Sequence, residues 1–189
     1  MKAIYLFLFF LFPAATHIAA QKSQPGFGKV DKADLEMKDC EFDKGADAIV
    51  LIDYGNMYYD RGTVGFSTFK TVYERRTRIK ILKEKGISQA DIEINYYTNN
   101  NEERILKFNA NTYNLDAAGK IITTEVKKSA IYSKKIDGNY SKMIISFPEV
   151  KVGSIIEYSY TIERESYGLR TWYFQGSIPV RYSEYQLRV

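Results

Sequence analysis

Apolar and polar residues alternate along most of the chain after residue 48. In the run Ser154–Glu163 the apolar side chains fall on one face of an extended strand and the polar ones on the other. This alternation predicts half-buried β-strands. Nine runs have it or are rich in β-branched residues: Ala48–Tyr54, Phe69–Leu82, Ile92–Tyr97, Arg104–Tyr113, Lys120–Val126, Lys142–Phe147, Ser154–Glu163, Thr171–Gln175 and Val180–Val189.

The spacing of these runs predicts an all-β, two-layer antiparallel β-sandwich. Turn residues at Asp116–Gly119 and Asp137-Gly138 predict hairpins, the second with a type I′ turn. We expect only one or two short helices, over Val30–Met37 and Ser88–Asp91. Met143, Ile145 and Phe147 alternate in the same way as the apolar residues of Ser154–Glu163, which predicts that the strands 142–147 and 154–163 are neighbours in one half-buried sheet. Leu106, Phe108 and Ala110 form a third apolar stripe.

The first 20 residues have the pattern of a secretory signal peptide. Lys2 precedes a short apolar run, and small residues follow before Gln21. The sequence therefore predicts a signal peptide at 1–20, a flexible leading segment at 21–28 and one β-sandwich domain at 29–189. We expect export to the periplasm or the extracellular space, with no membrane span after cleavage. The last predicted strand has no turn or tail behind it, so we expect it to be truncated, although a complete domain ending on a sheet strand has the same pattern.

The composition excludes most catalytic chemistry. The one histidine, His17, lies in the leader, and Cys40 is the single cysteine. No Ser-His-Asp or Cys-His relay and no His-ligated zinc site can form from these residues. The simplest interpretation of Cys40 is a small buried residue. A formal net charge of +4 spread along the chain does not indicate nucleic-acid binding. We interpret the basic runs, such as Glu74–Arg78, as solvated strand faces.

Carboxylates are the remaining candidates for catalysis. A glycosidase pair would need two of them about 5 to 9 Å apart, and the sequence predicts that most lie at strand ends or on wet faces. No spacing matches a calcium loop or a dinucleotide fingerprint. We therefore predict no catalytic, cofactor-binding or metal-ligating residue and no cofactor. The carboxylates considered are Asp43, Asp47, Asp53, Glu149, Glu157 and Glu163.

Aromatic residues give the best candidate for binding. Trp172 and Phe174 alternate with Tyr173 in the run Thr171–Gln175. In a sandwich we expect Trp172 and Phe174 to face the core. Tyr173 and Gln175, on the opposite face, are then the candidate contact residues.

Several stretches together resemble a known bacterial domain of unknown function, which precedes transglutaminase-like domains in secreted or periplasmic proteins. The most specific stretch is Phe147–Tyr160, FPEVKVGSIIEYSY, and its Pro148–Gly153 portion suits a fixed connection between strands. The resemblance runs from about Phe27 to the end. The other matching stretches are Phe27–Val30, Ala33–Leu35, Ala46–Leu51, Trp172, Phe174-Gln175 and Ile178–Val180.

The resemblance implies a β-sandwich module placed ahead of a papain-like core with a Cys-His-Asp triad. That core is absent from these 189 residues, and no triad motif maps onto them. One hypothesis is a non-catalytic accessory module whose partner is a downstream transglutaminase-like domain of the same polypeptide. The alternative is a free-standing envelope protein that binds a glycan or peptide, and a carboxylate hydrolase is a third.

Overall fold

A computed structural model describes residues 25–61, 69–165 and 168–188. Its strands form two sheets, which confirms the all-β sandwich. One sheet has six strands in the order β5-β4-β8-β2-β1-β9, and the other has three in the order β3-β7-β6. The strands are β1 Ala48–Arg61, β2 Phe69–Ile81, β3 Asp91–Tyr97, β4 Glu103–Leu115, β5 Ile121–Glu125, β6 Ile131–Lys135, β7 Tyr140–Ser146, β8 Ile155–Arg164 and β9 Ser183–Arg188.

The helical segments of the described chain are short. The helix α1 covers Lys32–Glu36, within the predicted Val30–Met37, and 3-10 helices cover Glu84–Ala90, Asn99–Asn101 and Lys128–Ala130. Among the described residues, no helix has the length and apolar character needed to cross a bilayer. The predicted signal peptide and residues 21–24 lie outside the described residues.

The six-stranded sheet is covered on both faces. One face packs on the three-stranded sheet through buried residues that include Met57, Met143, Ile145, Tyr160 and Ile162. The other face packs on α1 and the loop after it through Leu35, Cys40, Ile49, Leu51 and Ile155. Cys40 is fully buried and unpaired, as its simplest interpretation required. Since both faces are covered, the central strands carry apolar residues in both alternation phases.

The strands of the structure differ from the predicted ones in three places. Residues 131–135 form β6, which the sequence analysis missed because only Ile131 and Tyr132 are strongly apolar. Residues 171–175 form no strand. The last predicted strand starts later, at Ser183, and it pairs parallel to β1 rather than antiparallel.

The strands 142–147 and 154–163 are not neighbours in one sheet. β7 belongs to the three-stranded sheet, whereas β8 lies between β4 and β2 in the larger one. The connection Pro148–Gly153 therefore crosses between the two layers. Leu106 also departs from the predicted stripe, because a bulge between Ile105 and Lys107 shifts the register of β4 and leaves Leu106 exposed.

Both predicted hairpins form, joining β4 to β5 and β6 to β7. The second does not contain a type I′ turn, since Gly138 is not among the glycines with positive φ. Instead, the Asp137 carboxylate accepts hydrogen bonds from the backbone N–H groups of Asn139 and Tyr140. The Asp137 side chain therefore stabilises this turn in place of the predicted type I′ backbone conformation.

Two basic residues of β2 do not lie on a solvated face, contrary to the prediction. Arg78 and Lys80 are fully buried, and so is Glu157 of β8. Arg78 donates to Glu157 Oε1 over 2.7 Å, while Tyr113 Oη and the N–H of Gly28 donate to its Oε2. The segment from Pro25 through α1 covers these groups. The alternation of apolar and polar residues in β2 and β8 does not show that another segment covers this face.

Candidate interaction surface

The segment 168–182 returns the chain from the end of β8 to the start of β9. Its backbone joins β1 only near its end, where Val50 N–H donates to Pro179 O and Arg181 N–H donates to Val50 O. Before that point the segment is held by side chains, Trp172 above all. The segment therefore presents most of its length to solvent.

Trp172 lies flat against the six-stranded sheet, in a gap that Gly55 leaves. Gly55 is opposite Tyr185 on one side and Arg75 on the other. The Trp172 ring stacks on Tyr185, with centroids 5.1 Å apart, and the Arg75 guanidinium lies 4.8 Å from the ring centroid. Its indole N–H donates to Ser183 Oγ over 3.0 Å. This packing fixes the crossing segment on the sheet.

Arg75 is itself held in place by Asp53. Its guanidinium makes two hydrogen bonds to the Asp53 carboxylate, of 2.9 and 2.8 Å. Burial would lower the pKa of Arg75, but the hydrogen bond and the charge of Asp53 raise it above its ordinary value. The Arg75 guanidinium therefore stays charged and is held in position against the Trp172 ring.

Tyr173 and Gln175 are exposed, as expected, with 76% of Tyr173 accessible to solvent. Phe174 was expected in the core but is 57% exposed. The segment is not a strand, so the alternation of its side chains does not separate a buried face from an exposed one. Within the run 171–175, Trp172 is the residue that packs on the sheet. Leu169 is exposed on the same segment, and Leu187 is exposed on β9, two residues beyond Tyr185 on the same strand face.

We call Leu169, Tyr173, Phe174 and Leu187 the C-terminal aromatic surface. Its Phe174 meets the Trp172 ring edge to face, Trp172 stacks on Tyr185 of β9, and Leu187 lies on β9 itself. β9 is an edge strand whose one partner among the described strands is β1. The unpaired backbone groups of an edge strand and an adjacent exposed apolar surface are both features of protein–protein contacts. The alternation in the run Thr171–Gln175 predicted the exposure of Tyr173 and Gln175. The exposure of Phe174, Leu169 and Leu187 was not predicted, because it depends on how the segment crosses the sheet.

The candidate carboxylates do not gather into a site. Asp53 pairs with Arg75 on one face of the sheet and Glu157 with Arg78 on the other. Glu163 lies six residues from Glu157 along β8, about 20 Å away, between Lys70 and Arg104. Hydrogen bonding to Lys70 lowers the pKa of Glu163. No cluster of three or more potential metal ligands occurs within residues 25–61, 69–165 and 168–188.

The three remaining candidates, Asp43, Asp47 and Glu149, lie in connections. Asp43 accepts a hydrogen bond from the Gly45 N–H on the surface, and Asp47 supplies its carbonyl to the N–H groups of Leu82 and Lys83. Glu149 has a φ of 56° and supplies its carbonyl to the Asn114 amide. The Asp43 bond stays within its own loop, whereas the carbonyls of Asp47 and Glu149 hold their loops against the end of β2 and against β4.

The Phe147–Tyr160 stretch forms the connection between the two layers. Gly153 has a φ of 91°, its N–H donates to Ile81 O, and its carbonyl accepts from the Lys80 ammonium. The Ser154 hydroxyl accepts from Lys151 N–H and donates to Asn114 Oδ1. The motif is therefore explained by its own bonds to β2 and β4.

The fold and the surface define a β-sheet domain with an exposed aromatic edge. The chain belongs to the family described as a domain of unknown function with solved structure, DUF3857, whose model matches residues 67–189. That match covers more than half of the chain.

Solved structures also match the chain, among them a crystal structure described as a "putative protease" from Parabacteroides distasonis ATCC 8503. The TM-score is 0.48 and the sequence identity is 12%, over 62% of this chain and 23% of that one. The chain thus spans less than a quarter of that protein. No curated protein matches the sequence.

Proposed function

We propose that this chain is a non-catalytic accessory module of an exported protein, and that it docks a transglutaminase-like domain that follows in the same polypeptide. The observation that carries the proposal is the C-terminal aromatic surface beside the edge strand β9. Tyr173 and Phe174 are more than half exposed on a segment that Trp172 anchors. Large exposed aromatic side chains on a rigid support are the residues that most often dominate protein–protein contacts.

The chemistry of the described residues supports a module without its own active site. The buried or partly buried carboxylates Asp53, Glu157 and Glu163 each have a cationic partner. The sequence contains no histidine outside the leader. A nucleophile would therefore lack a neighbouring base of the usual kind.

The native reading frame gives the first test. We expect it to continue past codon 189 into a domain with Cys, His and Asp, and a stop codon directly after Val189 would contradict the proposal. We also expect the purified chain to neither cleave nor cross-link peptides. Activity of the chain alone would equally overturn it.

A binding measurement tests the surface. We expect the separately expressed downstream domain to bind this chain in calorimetry, and we expect the double substitution Tyr173→Ser, Phe174→Ser to weaken binding at least tenfold, since anchor residues contribute about 2 kcal/mol or more each. Phe42→Ser is the matched control, because Phe42 is 61% exposed in the loop after α1. Equal affinities for the two variants would show that the contact lies elsewhere.

A further inference from the structure

A cavity of about 440 Å³ opens where the ends of β3, β4 and β8 meet the segment 168–182. Its size falls within the roughly 300–1,000 Å³ of small-molecule sites. None of the four residues of the C-terminal aromatic surface lines this cavity, although Leu169 is the chain neighbour of Arg170. Its walls combine tyrosine rings with charged and amide groups: Asn95, Tyr97, Glu102, Tyr140, Arg164 and Arg170.

The floor of the cavity is rigid. Glu103 is 5% exposed, and its carboxylate accepts hydrogen bonds from the Tyr97 N–H over 2.8 Å and from Arg170 over 2.7 Å. Arg164 Nε lies 3.8 Å from the same carboxylate. One buried group therefore ties β3, β4, β8 and the crossing segment together, which holds the cavity open in a fixed shape.

The rim is fixed as well. The Thr98 N–H donates to Asn139 O over 2.7 Å, which joins the β3–β4 connection to the β6–β7 turn. Tyr97 and Tyr140 then meet edge to face, with ring centroids 5.2 Å apart. Rigid aromatic walls cost little conformational entropy when a ligand binds.

Polar groups of the walls remain available to a ligand. Arg164 donates through Nε to Glu102 over 2.9 Å, and its two terminal nitrogens have no hydrogen-bond partner within the described chain. Tyr140 is 46% exposed, and its hydroxyl likewise has none there. The cavity therefore offers free donors, together with the second oxygen of Glu102 as an acceptor.

The charges of the walls balance. Glu102 and Glu103 offset Arg164 and Arg170, so an anion gains no net attraction and a cation gains none either. A neutral ligand with many hydroxyl groups fits this arrangement, because hydroxyls both donate and accept. The C–H faces of a sugar ring also suit tyrosine rings, which present apolar faces.

We propose that this cavity binds a neutral saccharide. A second cavity of about 260 Å³ also has Tyr96 as a wall and is lined further by Ile105, Phe108 and Met143. Because Tyr96 belongs to both linings, we expect a disaccharide to bind more tightly than a monosaccharide. This inference is independent of the proposed docking surface.

The test is a titration of the isotope-labelled chain followed by amide NMR shifts. The probes are glucose, galactose, N-acetylglucosamine and their β-linked disaccharides, at up to roughly 20 mM, which is well above a millimolar Kd. We expect saturable shifts near Tyr97, Tyr140 and Arg164 for a monosaccharide, and larger shifts that extend to residues near Tyr96 and Phe108 for a disaccharide. Tri-alanine and citrate serve as peptide and anion probes.

Substitutions locate the binding. We expect Tyr140→Ala to weaken it about tenfold through loss of the ring, and Tyr132→Ala to leave it unchanged, because Tyr132 is 55% exposed on β6 and lines neither cavity. Tyr140→Phe keeps the ring and should weaken binding roughly two- to tenfold through loss of one hydrogen bond. This variant tests the role of Tyr140 in binding if Tyr140→Ala does not fold. Absence of saturable shifts with every sugar, shifts with tri-alanine or citrate alone, or equal losses in the Tyr140 and Tyr132 variants would overturn the proposal.

Discussion

Gly55 is the residue that allows Trp172 to lie flat on the sheet. A Cβ atom at this position would lie 2.4 Å from the Trp172 ring. We expect Gly55→Ala to displace the ring and to lower the free energy of unfolding by about 1–3 kcal/mol, the usual cost of overpacking.

Intrinsic fluorescence measures this displacement directly, because Trp172 is the one tryptophan of the chain. Its emission should shift to the red in Gly55→Ala as the ring enters water. Gly138→Ala is the control, since a Cβ atom there has no neighbour within 4 Å. An unchanged emission spectrum in Gly55→Ala would contradict the packing described here.

Glu157 neutralises a buried cation. Arg78 and Glu157 are both fully buried, and Arg78 Nη1 has no hydrogen-bond partner among the described residues. Glu157→Gln would leave the Arg78 charge uncompensated, so we expect the free energy of unfolding to fall by about 3–5 kcal/mol. Urea denaturation is the measurement.

Two further variants separate charge from packing. Arg78→Met with Glu157→Gln removes both charges and keeps an acceptor for Tyr113, so it should be more stable than Glu157→Gln alone. Glu163→Gln breaks a partly exposed pair instead and should cost no more than about 1 kcal/mol. Equal costs for Glu157→Gln and Glu163→Gln would refute the difference in burial.

Lys80 makes stability depend on pH. Burial lowers the pKa of Lys80 from 10.5 to about 8. Between these values the unfolded chain binds the proton and the folded chain does not, so stability rises as pH increases from about 8, by at most about 1.4 kcal/mol per pH unit. The neutral amine keeps two N–H groups for the carbonyls of Leu35 and Gly153, each 2.6 Å away.

Tyrosines set the upper limit of this pH window. Burial raises the pKa of Tyr113 and of Tyr158 to about 12. Unfolded tyrosines ionise near pH 10, so stability falls again above that value. We therefore expect urea denaturation midpoints to increase from pH 8 to 10 in the natural chain and in the surface variant Lys83→Met, but not in Lys80→Met. A midpoint that falls steadily across this range in the natural chain would contradict the assignment.

The connection between β7 and β8 is the element on which the two-layer arrangement depends. Gly153 adopts a φ of 91° there, a conformation that costs an L-residue roughly 1–2 kcal/mol. We expect Gly153→Ala to lower the thermal unfolding midpoint accordingly. Gly176→Ala, at a position with open space and no positive φ, should not. Equal midpoints for both variants would show that the connection tolerates other conformations.

The period-two pattern predicted most of the strands, because a strand that packs on another element carries apolar residues on the packed face. It failed where the structure departs from simple pleating. The β4 bulge moves Leu106 outward, and the buried pair of Arg78 and Glu157 has the sequence pattern of a wet face. The sequence pattern could not show that Pro148–Gly153 crosses between the two layers, because a crossover and a hairpin use the same turn residues.

The candidate sites could also be predicted only in part from local alternation. Tyr173 was predicted from local alternation, and Phe174 was misplaced because the segment 168–182 is not a strand. The saccharide cavity could not be predicted at all. Its residues come from β3, β4, β7, β8 and the crossing segment, and Glu102, Arg164 and Tyr140 carry no shared motif in the sequence.

At the scale of the whole molecule, the six-stranded sheet has a protected centre and two different edges. Among the described strands, each one from β4 to β1 has neighbours on both sides, whereas β5 and β9 each have one. Amides with partners on both sides open only with the whole domain, while edge strands open locally at lower free energy. We expect the slowest amide hydrogen exchange in β2 and β8, and faster exchange in β5, β6 and β9.

Hydrogen exchange read by mass spectrometry checks this order, and protection in β5 and β9 equal to that in β2 would contradict the sheet topology. The two edges also give an internal comparison for the docking proposal. A domain that docks on β9 and the C-terminal aromatic surface would slow exchange in β9 and leave β5 unchanged. Slower exchange in β5 instead would place the contact on the opposite edge, so the same measurement on the longer native protein distinguishes the two.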